Sequence, residues 1–339
     1  MISRRRFVQG AGVAGLGLLA ACGQLPGQAA PQAPAQAQVP RIGYLGQGSS
    51  EPSPTRDVFF QSLRDLGYVD GQNIRIESRF TETQFERAPE LAAELVGLPV
   101  DVLVVGGGRA VLAARRATDT IPIVMGFSSV DPVAEGLIAS LARPGGNVTG
   151  VTASVQGAQF GAKRLELLRD ALNGLTRVGV VWDEGDPITI ARWGETRAAG
   201  ETLGLQTLSL AVRGPDDVVA ALEAAASEHL DALIVVHNAL TGDRRPMIID
   251  RAARSRLPAM YEYREWVSTG GLMAYGPSRS AIWYRAAQYV DKILKGAKPA
   301  DLPVEQPREF DFVINLKTAQ ALGLTIPQHV LLQATEIIQ

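Results

Sequence analysis

The sequence predicts an α/β protein built from two doubly wound parallel-sheet lobes. Three observations predict it. From Arg41 onward, short apolar runs alternate with amphipathic helical patterns, as parallel strands with helices on both faces require. The series runs twice, and the break Arg143-Pro144-Gly145-Gly146-Asn147 separates the two runs. Each run begins with an apolar strand that ends in a polar loop, and ligands of open α/β sheets bind at the carboxyl ends of strands.

Residues 1–40 are expected to lie outside the fold. Ser3-Arg4-Arg5-Arg6-Phe7 is a basic start with a twin arginine. The Gly/Ala/Leu/Val run 8–21 is short for a bilayer span but suits the apolar part of a signal. It ends in Leu19-Ala20-Ala21-Cys22, which resembles the lipobox of bacterial lipoproteins, where the cysteine is acylated and becomes the new N-terminus. The opening also resembles the twin-arginine export signal. An ordinary cleaved signal with a chance cysteine is the alternative. Residues 23–40, rich in Gln, Ala and Pro, read as a flexible tether.

In the first run, 42–45 is a strand and 46–52 the loop at its carboxyl end. Residues 55–66 carry Val58, Phe59, Leu63 and Leu66 at helical spacing. Turn residues follow at 67–73. Residues 74–80 alternate as a strand, 85–96 form an amphipathic helix, and 100–105 form a third strand. Gly106-Gly107-Gly108-Arg109 opens the helix 110–117. The run 121–127 is a buried strand, and the turn Ser128-Ser129-Val130-Asp131-Pro132 comes next. Val133, Leu137, Ile138 and Leu141 then recur at helical spacing. The glycine-rich break stops that helix, and the strand 148–152 leads away.

The second run repeats the scheme: helix 159–172, strand 178–182, loop 183–187, helix 190–203, strand 206–212, helix 215–228, strand 233–236, helix 247–255. Strands 259–261 and 271–275 follow, then an amphipathic helix at 280–294 ended by Gly296-Ala297-Lys298-Pro299. A late strand at 310–314 and a late helix at 316–322 complete the pattern.

With 339 residues, the chain can bury one large core or two medium ones. A net charge of −2 gives no electrostatic case for nucleic acid. Three histidines and a single cysteine argue against a His/Cys zinc site and forbid an internal disulfide. No metal cluster, no G-x-S-x-G and no Ser/His/Asp set at recognisable spacing is present, so no cofactor is expected and hydrolysis has no visible machinery.

The candidate ligand residues are those at strand ends. In the first run they are Ser49 and Ser50; Gly107, Gly108 and Arg109, whose N–H groups and helix dipole suit a carboxylate; and Ser128, Ser129 and Asp131. A tight packing turn is the other reading of the glycines, and Asp131 can instead cap the helix beginning at Pro132. In the second run, Asp183, Glu184 and Asp186 can receive an ammonium group or form a solvated loop with a helix cap near Pro187. His237 and Asn238 end one strand. Tyr261, Glu262, Tyr263 and Tyr275 end later ones, where an aromatic ring can stack on a planar ligand or pack in the core or at the hinge. Trp182 and Trp266 are expected in the core or at a hinge.

Four phrases carry a wider resemblance: Arg143-Pro144-Gly145-Gly146-Asn147-Val148-Thr149-Gly150, Gly270-Gly271-Leu272-Met273-Ala274-Tyr275-Gly276, the stretch 293–305, and Ile314-Asn315-Leu316-Lys317-Thr318-Ala319. Together they resemble the ABC transporter substrate-binding proteins of the tryptophan/tyrosine-binding type, over essentially 41–339. Asp183-Glu184-Gly185-Asp186-Pro187 departs from the Asn-Pro that relatives often carry there. The resemblance implies a type I periplasmic binding protein-like fold, with three crossovers near 148–152, 277–279 and 302–307. One lobe would be 41–150 plus 279–303, the other 151–278 plus 304–339. It further implies a monomeric binding protein, not an enzyme, lipid-anchored outside the cytoplasm. It would close on a small polar ligand, possibly an amino acid with aromatic ones favoured, and deliver it to an ABC permease. An envelope hydrolase, or a receptor on the same fold that feeds a signalling partner, are the alternatives.

Overall fold

The computed structural model describes residues 39–51, 53–82, 84–154 and 160–339. The expected signal, its Cys22, and Gln159 at the start of an expected helix lie outside these. Along the chain, the first lobe holds β1 (Arg41–Gly46), α1 (Pro54–Asp65), β2 (Arg75–Phe80), α2 (Ala88–Val96), β3 (Val102–Gly106), α3 (Gly108–Ala117), β4 (Ile123–Phe127) and β5 (Val148–Gly150). The second holds α4 (Phe160–Ala171), β6 (Arg177–Asp183), α5 (Pro187–Leu203), β7 (Gln206–Val212), α6 (Pro215–Ser227), β8 (Ala232–Val235), α7 (Ala239–Asp243), α8 (Arg245–Arg254), β9 (Ala259–Tyr261), α9 (Arg264–Ser268) and β10 (Met273–Pro277). Then come α10 (Arg279–Leu294), β11 (Phe310–Asn315), α11 (Leu316–Ala321), α12 (Gln328–Leu331) and β12 (Glu336–Ile338). No helix among the described residues is long and apolar enough to cross a membrane.

Two sheets result. The first runs β2-β1-β3-β4-β5, parallel throughout. The second runs β12-β11-β10-β9-β8-β6-β7, with β11 antiparallel to β10. In both, the order reverses between the first strand and the third, β1/β3 and β6/β8. Such reversals are where open α/β sheets leave a crevice for ligand.

Each sheet is covered on both faces. Leu45, Leu103, Val105 and Met125 pack against α2 and α3, and Ile42, Tyr44, Val102, Val104 and Val124 against α1 and α10. The second sheet is buried likewise between two apolar clusters. Continuous burial along β3 and β8 explains why both read as unbroken apolar runs. Helix ends obey local rules. Asp186 caps α5 by accepting from the Ile188 N–H at 3.0 Å, Pro187 opens the helix, and Gly204 closes it in the left-handed region at φ 70°.

The chain crosses between sheets three times. The first passage follows β5. The second is at Ser278, because α10 leaves the second sheet to bury Ile282, Trp283, Ala286 and Val290 in the first lobe. The third lies between Val304, in the first core, and Phe310, at the start of β11. The first and third passages are joined: Glu305 N donates to Gly150 O at 2.9 Å and Thr152 N to Glu305 O at 3.0 Å.

One expected helix does not form. After Asp131 the chain makes a single turn, with Glu135 N donating to Asp131 O. Gly136 then adopts φ 67°, and the Leu137 and Ile138 N–H groups turn back to Pro132 O. The left-handed glycine breaks the helical path while Leu137 and Ile138 still reach the core. The 85–96 helix opens with a 3₁₀ turn (Phe85–Arg87), and α2 itself starts beside Pro89.

Candidate functional site

The strand ends of the two sheets meet across the crevice. Phe127, last in β4, lies edge-on to Tyr263, which follows β9; the ring centroids are 5.7 Å apart and the planes 80° apart. Arg279, at the start of α10, lies against both rings, 4.9 Å from the Phe127 centroid and 5.3 Å from that of Tyr263. Such cation–π contacts are worth about 0.5–2 kcal/mol each, more as water is excluded. His237 packs edge-on against Tyr263 at 4.9 Å, and its Nδ1 accepts from Trp266 Nε1 at 3.4 Å.

On the first-lobe rim, Ser128 is completely buried and its Oγ has no hydrogen-bond partner. Its carbonyl accepts from Ala153 N at 2.6 Å and Thr152 Oγ1 at 3.2 Å, which ties the end of β4 to the first crossover. Ser129 beside it is half-buried. The glycines form a crowded corner rather than an open anion bed. Gly107 N donates to Phe127 O at 2.5 Å, and a Cβ at this position, already at φ 103°, would lie 1.9 Å from Gln47 Oε1. Gly108 is closed over by Val130. Arg109 is exposed. Ser49 and Ser50 sit on an exposed loop tied to itself: Ser49 Oγ accepts from Glu51 N, Ser50 N donates to Glu82, and Arg56 donates to the carbonyls of residues 49 and 50. Asp131 acts as a cap, accepting from the N–H groups of Val133 and Ala134 at 2.9 and 3.1 Å.

The second-lobe acids already hold donors within the protein, and Asp186 takes the helix-cap alternative. Asp183 accepts from Gly185 N at 2.8 Å and from Asn238 Nδ2 at 2.6 Å. Asp186 caps α5. Asn238 itself caps α7 through Thr241. Glu262 is 1% exposed and shared by two arginines. Arg164 Nη1 is 2.9 Å from Oε1, an ionic contact without a well-directed hydrogen bond, and Arg192 Nη1 bonds to Oε2. Burial opposes the Arg192 cation, but Glu262, Tyr263 and Asp186 together outweigh it and the guanidinium is held charged.

Two tyrosines take the core-packing alternative. Tyr261 turns into the core and stacks on Trp266 with centroids 4.7 Å apart, because β9 is covered on that face by α9. Tyr275 packs with Phe310 and Phe312 of β11 and lends its carbonyl to Arg164 Nε. Trp266, expected in the core or at a hinge, is a core residue with an edge on His237.

Two side chains that join the lobes, Phe127 and Arg279, were not among the sequence candidates, and neither was Arg192, which holds Glu262 within the second lobe. Phe127 is the last apolar residue before Ser128, and Arg279 follows the Pro277-Ser278 helix start; position at strand or helix ends is the only signal either carries. Burial, and then Arg279, Arg192 and Arg245, hold the His237 imidazole well below the ordinary histidine range. No group of three or more His, Cys, Asp or Glu that could hold a metal occurs among the described residues.

Comparison with known proteins gives a consistent picture. The family profile described as ABC transporter substrate binding protein matches residues 52–338. A tyrosine-binding protein of Clostridioides difficile is 25% identical over 320 residues, covering 93% of this chain and 90% of that one. A Streptococcus pneumonia ABC domain solved in complex with L-Trp superposes with a TM-score of 0.77 at 26% identity, covering 88% of this chain and 99% of its own. A conserved domain protein of Vibrio cholerae superposes at 0.78 with 26% identity, over 88% and 100%.

Proposed function

The chain belongs to the family of ABC transporter substrate binding proteins, extracytoplasmic binders and not enzymes, and on that premise we propose that it captures an amino acid with an aromatic side chain between its lobes and presents it to an importer. Relatives that bind tyrosine and L-Trp support the ligand class. One local observation carries the reading: aromatic rings from both sheets meet at the strand ends, with the buried Ser128 hydroxyl unpartnered beside them. The two rings touch each other here, so a planar ring would pack against their edges once they part, with orphaned polar atoms fixing its orientation. The mechanism is hinge closure. Ligand held by one lobe recruits the other, and the closed form is what the permease reads.

The same reading makes the protein a monomeric lipoprotein, anchored through acylated Cys22 by the tether that follows it. Native mass spectrometry of freshly purified protein, then a thermal-shift screen of the amino acids, tests the ligand. A true ligand raises the melting temperature with concentration, by the equivalent of about 2.7 kcal/mol at a hundredfold excess over Kd. No shift with any amino acid overturns the ligand class. For the anchor, metabolic labelling with a fatty-acid analogue and membrane fractionation of Cys22→Ala should show loss of label and release from the membrane. A labelled, membrane-bound variant overturns the anchor.

A further inference from the structure

The three crossovers enclose a cavity of about 270 Å³. Val151 borders it from the first passage, Ser278, Ala281 and Ile282 from the second, and Gln306 to Glu309 from the third. Phe127, Ser128 and Tyr263 do not line it, so it is separate from the crevice. Its size lies near the lower end of small-molecule pockets, about 300 Å³.

The third passage is fixed on either side of this space. Glu305 belongs to the first lobe. Besides its backbone bonds to Gly150 and Thr152, its carboxylate accepts from Arg285 Nε of α10 at 2.9 Å and from Arg285 Nη2. Tyr289, also on α10, donates to the Pro303 carbonyl. At the other end, Ser278 N donates to Glu309 O at 2.9 Å, where the second and third passages meet the second sheet. Between these ties lie Gln306, Pro307 and Arg308. Any change of angle between the lobes therefore reshapes the cavity they span.

The lining sets the chemistry. Val151, Ala281, Ile282 and Pro307 are apolar walls. Arg285 and Glu305 engage each other, and Arg308 and Glu309 are exposed, one of each sign. The lining charges thus cancel, and an ion entering here would lose water without gaining a net counter-charge. Gln306 Nε2 donates to Ser154 O at 3.3 Å, which leaves the amide oxygen to accept from a ligand.

We propose that this cavity is a second binding site, for a small neutral molecule with a compact apolar body and one hydroxyl or amide donor, and that its occupant favours the conformation in which the strand ends touch. An occupant shaped to the cavity of this conformation stabilises it and, by linkage, tightens whatever the crevice holds.

Isothermal titration of the protein with cyclohexanol, cyclohexanecarboxylate and cyclohexylammonium, one body in three charge states, tests it. Expected is saturable binding of cyclohexanol, with both ions weaker by about tenfold or more. Ala281→Phe, which grows a ring into the cavity from α10, should abolish that binding; Ala281→Leu is the milder filling if the first variant fails to fold. Saturating cyclohexanol should lower the Kd for L-tryptophan about fivefold or more in the wild type, the low end of two-site coupling, and have no effect in the filled variant. No binding of cyclohexanol overturns the proposal and leaves the cavity as clearance for the hinge. Binding that survives the filling substitution lies elsewhere and overturns it too. Either ion binding as tightly as the alcohol overturns the neutral ligand class. An unchanged or raised Kd for L-tryptophan overturns the coupling. If L-tryptophan itself does not bind, that failure belongs to the crevice reading, and the coupling is read from the radius of gyration of Phe127→Ala, which cyclohexanol should lower; an unchanged radius overturns it.

Discussion

His237 shows how one residue's surroundings become a pH dependence. Its ring keeps a partly exposed edge, yet Tyr263, Trp266 and Gly242 enclose it and three arginines lie within range. The folded protein therefore keeps the imidazole neutral, while the unfolded chain takes up a proton near pH 6.5. The stability this group confers is complete above that pH. It declines as pH falls from there towards the lowered folded value, by at most about 1.4 kcal/mol per pH unit. Urea titrations at pH 7.5, 6.5 and 5.5 should show this slope in the wild type and a flatter one in His237→Gln. An unchanged slope in the variant would assign it to other groups. In sequence, His237 stands only as a lone histidine at a strand end. That position was legible; its enclosure by arginines from α5, α8 and α10 was not, because those residues are distant in the chain.

Among the elements, α10 holds the first lobe's strand ends in place. Trp283, 4% exposed, lies over Gly106 and Gly126, where a Cβ would come within 2.9 and 2.0 Å of its ring. Tyr44 and Phe59 complete the cluster at centroid distances of 5.8 and 5.7 Å. Gly126→Ala should destabilise by about 1–3 kcal/mol through overpacking, and Trp283→Ala by about 3–5 kcal/mol through loss of contact and cavity formation. In a Trp283→Leu background the Gly126→Ala penalty should shrink, a coupling that denaturant unfolding of the four proteins measures. Additive penalties would mean the indole moves aside freely. Periodicity found α10 and β7 with little error, since both are long and half-buried. It missed α7 and α9, at five residues each too short to show a period. It also placed a helix over 133–141, where the apolar spacing is real but Gly136 bends the chain.

Across the whole molecule, the lobes touch through Phe127, Tyr263, Arg279 and Glu265, so the conformation described has its strand ends in contact. Closure and binding draw on the same contacts, and a weaker contact leaves less of the binding-competent form. Phe127→Ala should lower ligand affinity about tenfold by this route and raise the radius of gyration of the ligand-free protein in small-angle scattering. Saturating ligand should bring the radius back. An unchanged radius together with unchanged affinity would show that the contact has no part in closure.

The sequence alone determined the α/β class, the doubling into two lobes and the strand ends as the place to look, because apolar period and turn chemistry are local and survive without partners. Only the tertiary structure decided which side chains at those ends are free to bind. Tyr261 and Tyr263 differ by two positions, yet one stacks on Trp266 and the other meets Phe127 from the opposite sheet. For Asp183 and Glu262 the sequence shows only acids at strand ends; Asn238, Arg164 and Arg192 arrive from other elements to engage them. A charge or ring is available only after every neighbour has been counted, and those neighbours are gathered by folding.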